Sequence, residues 1–276
     1  MGSTVERLLV RTWNLFHGNT QPPGRRAFLE EMVRLASADS PDVLCLQELP
    51  VWSLGFLGAW SGMTVVADVA QRPMLGPIPS SPGLGRVLTD LNHGLLRSAF
   101  TGQANAILLR PELPVVDHWH VVLNPMRYRR AQARQLGLGI VPRLAWASER
   151  RVCQVVRLRR ADGRLVIGNL HATSYPPDKR VPDAELLRAA VFVDGLAAPG
   201  EPVLLCGDFN VSVRTSRTLG DLADPEWGFT GATRTGIDHI LVRALTAEPP
   251  QRWDADRRLH EDRLLSDHAP VEVSVE

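Results

Sequence analysis

Short apolar runs separated by polar breaks dominate the chain, and several are apolar at nearly every position rather than at every second one. "RLLVRTW" (7–13), "DVLCLQE" (42–48) and "PVLLC" (202–206) have the length and composition of strands buried on both faces, as in a sheet covered by helices. Between the first two, the period changes. From Pro22 onward, Phe28, Met32, Leu35 and Ala36 fall on one helical face, with Pro22 and Pro23 at the expected first turn and Pro41 after the expected stop. Strand, helix, strand predicts a parallel or mixed sheet with a right-handed crossover.

Further strands are expected at 63–70, 105–110, 115–123, 151–160, 164–172, 237–243 and 269–275. Asp162 and Gly163 mark a hairpin between the fourth and fifth of these. Helices are expected over 85–100, 126–136 and 183–196, the second presenting Arg127, Arg130 and Arg134 on one face. Pro73, Pro77, Pro79 and Pro82 break the stretch before the first of these into a long loop. Long loops in compact domains are usually functional, so this one is a candidate substrate-selecting element.

Composition narrows the classes. The chain has 276 residues, 44% of them hydrophobic, and no linker, repeat or low-complexity tract, so a single domain over 1–276 is expected. A formal net charge of +1 gives no bulk electrostatic reason to bind nucleic acid or an acidic membrane, and any such case rests on local patches. Lys179 is the only lysine, and the arginines that replace the rest suit phosphate, since the guanidinium fork bonds two oxygens at once. Cys45, Cys153 and Cys206 all lie in strand-like runs, an odd count without framework spacing. A reduced, cytoplasmic setting is therefore expected, with no signal peptide, no membrane span and no stable membrane association.

Chemistry gathers where the apolar runs end. They stop at Asn14, at Glu48, at His171, at Asp208 with Asn210, and Asp267 with His268 precede the final run; Asp238 is the exception, at the start of one. Open α/β sheets carry ligands beyond the carboxyl ends of their strands. Singly, each residue reads as a cap, a turn residue or a satisfied histidine; their recurrence is what points to a site. Hard oxygen ligands such as Asn14 and Glu48 suit Mg²⁺, and no soft ligands stand at zinc spacing. Phosphodiester hydrolysis needs a base for the attacking water, donors for the developing charge and compensation at the leaving oxygen. Asp208, then His171 with His268, then the metal would supply these.

The motifs "TWN", "LQE", "GNLH", "GDFN", "IDHI" and "SDHAPV", in this order across roughly 8–275, resemble the endonuclease/exonuclease/phosphatase superfamily. The resemblance implies an α/β fold of four layers, two mixed β-sheets packed face to face with helices outside. It implies that Glu48 ligates a divalent cation, Mg²⁺ or Mn²⁺, with Asn14 nearby and Asp267 beside the metal. Asp208 would activate the water, and Asn210 would position phosphate. His268, held in its tautomer by Asp238, would contact the scissile phosphate. His171 would be a second phosphate-contacting histidine with Asn105 as its supporting partner, and Arg151, or else Arg150, a phosphate-contacting arginine. Phe16 stands where abasic-site endonucleases carry an aspartate, which leaves one versus two metals open.

The expected activity is Mg²⁺-dependent hydrolysis of a phosphodiester, with nucleic acid as the first substrate class. Lipid headgroups of the sphingomyelinase type come second and inositol phosphates or other small phosphate esters third. A catalytically silent binding module on the same fold is the reading of another class, against which Glu48, Asp208 and His268 are all present. His17, His93, His118, His120, His239 and His260 receive no role. Oligomeric state is not legible.

Overall fold

The computed structural model describes residues 6–75, 78–93 and 100–276. Its main strands are β1 (Leu8–Asn14), β2 (Val43–Leu49), β3 (Thr64–Gln71), β4 (Gln103–Leu109), β5 (Val115–Val122), β6 (Val152–Arg160), β7 (Gly163–His171), β8 (Val203–Asp208), β9 (Asp238–Arg243), β10 (Gln251–Arg252) and β11 (Val271–Val275). They form two mixed sheets, ordered β10-β11-β1-β2-β4-β3 and β9-β8-β7-β6-β5. Within each sheet one central pair is parallel, β1 with β2 and β7 with β8, and the other pairs are antiparallel.

Apolar runs without alternation are explained by burial on both faces. Val10, Val43, Cys45 and Ile107 from one sheet meet Val156, Ile167, Leu204 and Ile240 from the other in the central core. The intervening residues face outward under helices. Leu44, Leu46 and Leu108 pack beneath α1 (Leu29–Ser37) and α2 (Leu57–Ser61). Val155, Val166 and Leu205 pack beneath α6 (Arg180–Leu196) and α7 (Arg217–Ala223). The result is a four-layer α/β sandwich. One polar bridge crosses the central core just below the strand ends: Gln47 donates to the Asn169 side-chain oxygen at 2.7 Å, and Asn169 donates to the carbonyls of Leu46 and Ala106. A buried amide pair left unsatisfied would be strongly unfavourable, so this bridge fixes how the two rims face each other.

Several boundaries differ from the expectations above. α1 starts at Leu29, so Pro22 and Pro23 lie well before its first turn, and Leu35 is only half-buried. The β6–β7 turn is Ala161–Asp162, with Gly163 already paired to Arg160. The last long helix begins at Arg180, one turn earlier than expected. In place of a helix over 85–100 there is α3 (Pro82–Leu91), capped by the Ser81 hydroxyl, which accepts from the Leu84 amide; residues 94–99 of that expectation, like Pro77 of the proline-rich loop, lie outside the described residues. After α4 (Met126–Gln135) comes an unforeseen α5 (Ile140–Ser148), in which Pro142 sits in the first turn, where its missing N–H leaves no bond unmade.

Candidate active site

Strand pairing brings the charged strand ends together. In the parallel β7–β8 pair His171 lies opposite Asp208, and in the antiparallel β8–β9 pair Asp208 lies opposite Asp238. Asp238 begins its strand but reaches the same rim because that strand runs the other way. From the facing sheet come Asn14 and Glu48. The β2–β4 register slips between Leu46 and Leu49, and Glu48 has φ +54°, so a local bulge turns its side chain away from the helix-facing side and into the site. The "SDH" loop is pinned across the end of β1: Ser266 donates to the Asn14 carbonyl at 2.7 Å, and Trp13 Nε1 donates to the His268 carbonyl at 2.9 Å.

These residues surround one polar cavity of about 350 Å³. Glu48, Arg151, Asp208, Asn210, Asp267 and His268 line it, together with His17 and Gln103, which the sequence did not single out. Asn14, His171 and Asp238 stand directly behind that wall. Arg150 is exposed outside it, so Arg151 is the arginine of the pair that the cavity holds.

The hydrogen bonds decide what each group can do. Asn14 Nδ2 donates to Asp208 Oδ2 at 3.0 Å and to Glu48 Oε1 at 3.2 Å, while its Oδ1 accepts from the Phe16 amide. Asn14 thus turns its N–H groups, not its oxygen, toward the carboxylates, and acts as a clamp between them. The expected pairing of His171 with Asn105 is not formed. Asn105 donates to the Val152 carbonyl at 3.3 Å, whereas Gln103, two residues earlier on the same strand face, meets His171 Nδ1 at 3.0 Å. Arg151 Nη1 approaches both ring nitrogens, 2.9 Å from Nδ1 and 3.1 Å from Nε2. The imidazole also places Nε2 3.5 Å from Glu48 and 3.6 Å from Asp208. Burial first, then Arg151, His268 and His17, hold its pKa well below the ordinary histidine value. Buried behind the wall, His171 faces the carboxylates and not the cavity.

Asp208 and His268 form the complementary pair. Burial pushes Asp208 up to about 7, opposed by His268 and reinforced by Asp238. Burial works to lower His268, but Asp208, Asp238 and Asp267 outweigh it and raise its pKa to about 10. His268 Nδ1 lies 2.9 Å from both Asp238 oxygens, which leaves Nε2 to face the site, 3.8 Å from Asp208 Oδ2. Imidazolium is therefore the form present at neutral pH. Asp238→Asn removes one of the three carboxylates, and the His268 pKa, followed by imidazole NMR, is expected to drop toward the ordinary histidine range; an unchanged titration would show that Asp238 does not hold the charge.

Two groupings can be weighed as a cation site. Asp208, Asp238 and His268 offer ligand atoms within 4.8 Å of one another, but His268 Nδ1 is already committed to Asp238. Glu48 and Asp267 fit a hard cation better. Burial raises the Glu48 pKa, Arg151 opposes the rise only at a distance, and Asp267 adds to it. Arg151 is itself paired with Glu149. The two acids thus face one cavity without a neutralising arginine bound to either, the oxygen-rich donor chemistry that a divalent cation takes.

The sequence pattern of the Endonuclease/Exonuclease/phosphatase family matches residues 12–268. The chain belongs to that family. It is a family of phosphoric-ester hydrolases that depend on divalent metal. Among solved structures, the fold resembles an endonuclease/exonuclease/phosphatase from Bacteroides vulgatus (TM-score 0.67, 15% identity, covering 99% of both chains). It also resembles one from Beutenbergia cavernae (TM-score 0.63, 17% identity, covering 98% of this chain and 71% of that one) and a humanized D. rerio TDP2 (TM-score 0.64, 14% identity, covering 98% and 99%). At these identities the likeness is one of fold. No curated protein sequence matches the chain.

Proposed function

We propose that this family member is a Mg²⁺-dependent phosphodiesterase in which Asp208 activates the attacking water. The observation that carries the reading is one cavity wall that sets Asp208 Oδ2, bonded to Asn14 Nδ2 at 3.0 Å, 3.8 Å from the Nε2 of His268, whose Nδ1 lies 2.9 Å from Asp238. Asp208, held by Asn14 and by the Asn210 amide at 3.0 Å, accepts the proton of a water aimed at phosphorus. His268, oriented by Asp238, and Arg151 present positive charge to the non-bridging oxygens. Asn210 holds its backbone in the left-handed region (φ +54°) with Nδ2 bonded to the Ala172 carbonyl, which fixes the amide at the cavity wall. Glu48 and Asp267 would hold a divalent cation, which would supply Lewis-acid neutralisation of the charge that develops on the phosphate.

The diester is preferred over a monoester on the motif resemblance. The family resemblance puts nucleic acid first among diesters, and a lipid headgroup second.

Glu48→Gln tests the cation assignment. The substitution is expected to shift the Mg²⁺ titration, read both as heat of binding and as hydrolysis, to concentrations on the order of tenfold higher or more. An unchanged titration by both readouts would remove Glu48 from the ligand set.

A further inference from the structure

Beside the site lies a face of unusual composition. Of the large hydrophobic side chains left exposed, Met126, Ile140, Val141 and Leu144 lie on α4 and α5, and α5 reaches the cavity through Ala145 and Ser148. Ile140, Val141 and Leu144 are 77%, 69% and 67% exposed, more than solvent alone would leave clustered on one helix. Between α4 and α5 runs a cleft of about 730 Å³ lined by Ala133, Leu144 and Trp146 together with Arg129, Arg130, Arg134 and Arg143.

Charge says what covers this face. Residues 125–150 carry six arginines, Arg127, Arg129, Arg130, Arg134, Arg143 and Arg150, against one acid, Glu149. Glu149 pairs with Arg151, and none of the six is in an ion pair among the described residues. A second copy of the chain would set arginines against arginines. Single-stranded nucleic acid would want exposed rings on which to stack, but the aromatic groups here are committed inward. Trp146 is fully buried and donates to Glu185 at 2.6 Å, and Tyr128 donates to the Ala184 carbonyl. Aliphatic side chains ringed by unpaired arginines match a bilayer surface, with acyl chains for the former and anionic headgroups for the latter. No helix among the described residues is long and apolar enough to cross a membrane, so the contact is peripheral.

We propose that the α4–α5 face docks reversibly on an anionic lipid bilayer. The docking does not rest on the phosphodiesterase reading. The test is sedimentation of the full chain with phosphatidylcholine vesicles with or without phosphatidylglycerol. Wild type is expected to partition onto the phosphatidylglycerol vesicles, weakened by salt. The triple variant Ile140→Ser, Val141→Ser, Leu144→Ser is expected to lose partition by on the order of tenfold or more, with an unchanged melting temperature, since all three side chains are exposed, and unchanged hydrolysis of soluble bis(p-nitrophenyl) phosphate. Arg130→Gln with Arg134→Gln is expected to abolish the preference for phosphatidylglycerol. No partition at any anionic content, or partition that survives the triple variant, would overturn the proposal. So would wild-type binding to single-stranded DNA that the triple variant loses while vesicles are ignored, which would assign the face to nucleic acid. Absence of soluble-diester hydrolysis in wild type would count against the phosphodiesterase reading alone, because partition is read without turnover.

Discussion

Asp208→Asn is expected to lower kcat on a phosphodiester by about 10²–10⁴-fold, the share usually carried by a positioned base, without unfolding the chain. Asparagine keeps the shape and still accepts from the Asn210 amide through its oxygen, but its NH2 takes the place of the acceptor that Asp208 Oδ2 offers to Asn14. Against that lost bond, stability should hold above pH 7. Burial raises the folded-state pKa of Asp208 to about 7 against an ordinary value near 4, so ionisation opposes folding increasingly as pH climbs through that window. The neutral amide removes that penalty. The two readouts, kcat and melting temperature at pH 8, should therefore separate, with activity lost and the fold kept. Activity within a few-fold of wild type would take the base role from Asp208; a large drop in melting temperature would make the lost activity a matter of structure.

Gly207→Ala is expected to destabilise the fold by about 3 kcal/mol or more. Gly207 has φ +136°, and a Cβ there would sit 1.9 Å from the Leu170 carbonyl oxygen. Leu170 is its register partner in the parallel β7–β8 pair, so the clash is backbone against backbone. Relieving it means parting the two strands that set His171 opposite Asp208. Urea unfolding should show a lowered midpoint, and an unchanged midpoint would show that the pair can open at this point without loss.

That glycine also shows what was and was not legible in the sequence. "PVLLC" (202–206) reads as a strand that ends before the glycine. In the structure β8 continues through Gly207 to Asp208, and the glycine is required by the approach of a neighbouring strand. The apolar runs, the β1–α1–β2 crossover and the clustering of Asn14, Glu48, Asp208, Asn210, Asp267 and His268 follow from local patterns and motif order. The rest depends on non-local geometry. Glu48 enters the site through a register slip that exists only once β4 has paired. Gln103 meets His171 across the two sheets, and no spacing in the sequence relates them. His17 reaches 3.7 Å from Glu48 because Phe16 and His17 both turn into left-handed backbone, at φ +49° and +54°, a conformation that neither residue type advertises. α5 is hidden by Gly137, Gly139 and Pro142, which locally read as a loop; the helix is held by packing of Trp146 and by the buried Glu185 carboxylate, which also accepts from the Thr173 amide and hydroxyl.

The most direct test of water attack at phosphorus by a cation-dependent site is hydrolysis of a phosphodiester in ¹⁸O-labelled water by metal-stripped protein, with Mg²⁺ restored or with EDTA present. The prediction is turnover only with Mg²⁺, and the label found in the phosphate-bearing product with none in the released alcohol. Turnover indifferent to EDTA, or label in the alcohol, would contradict it.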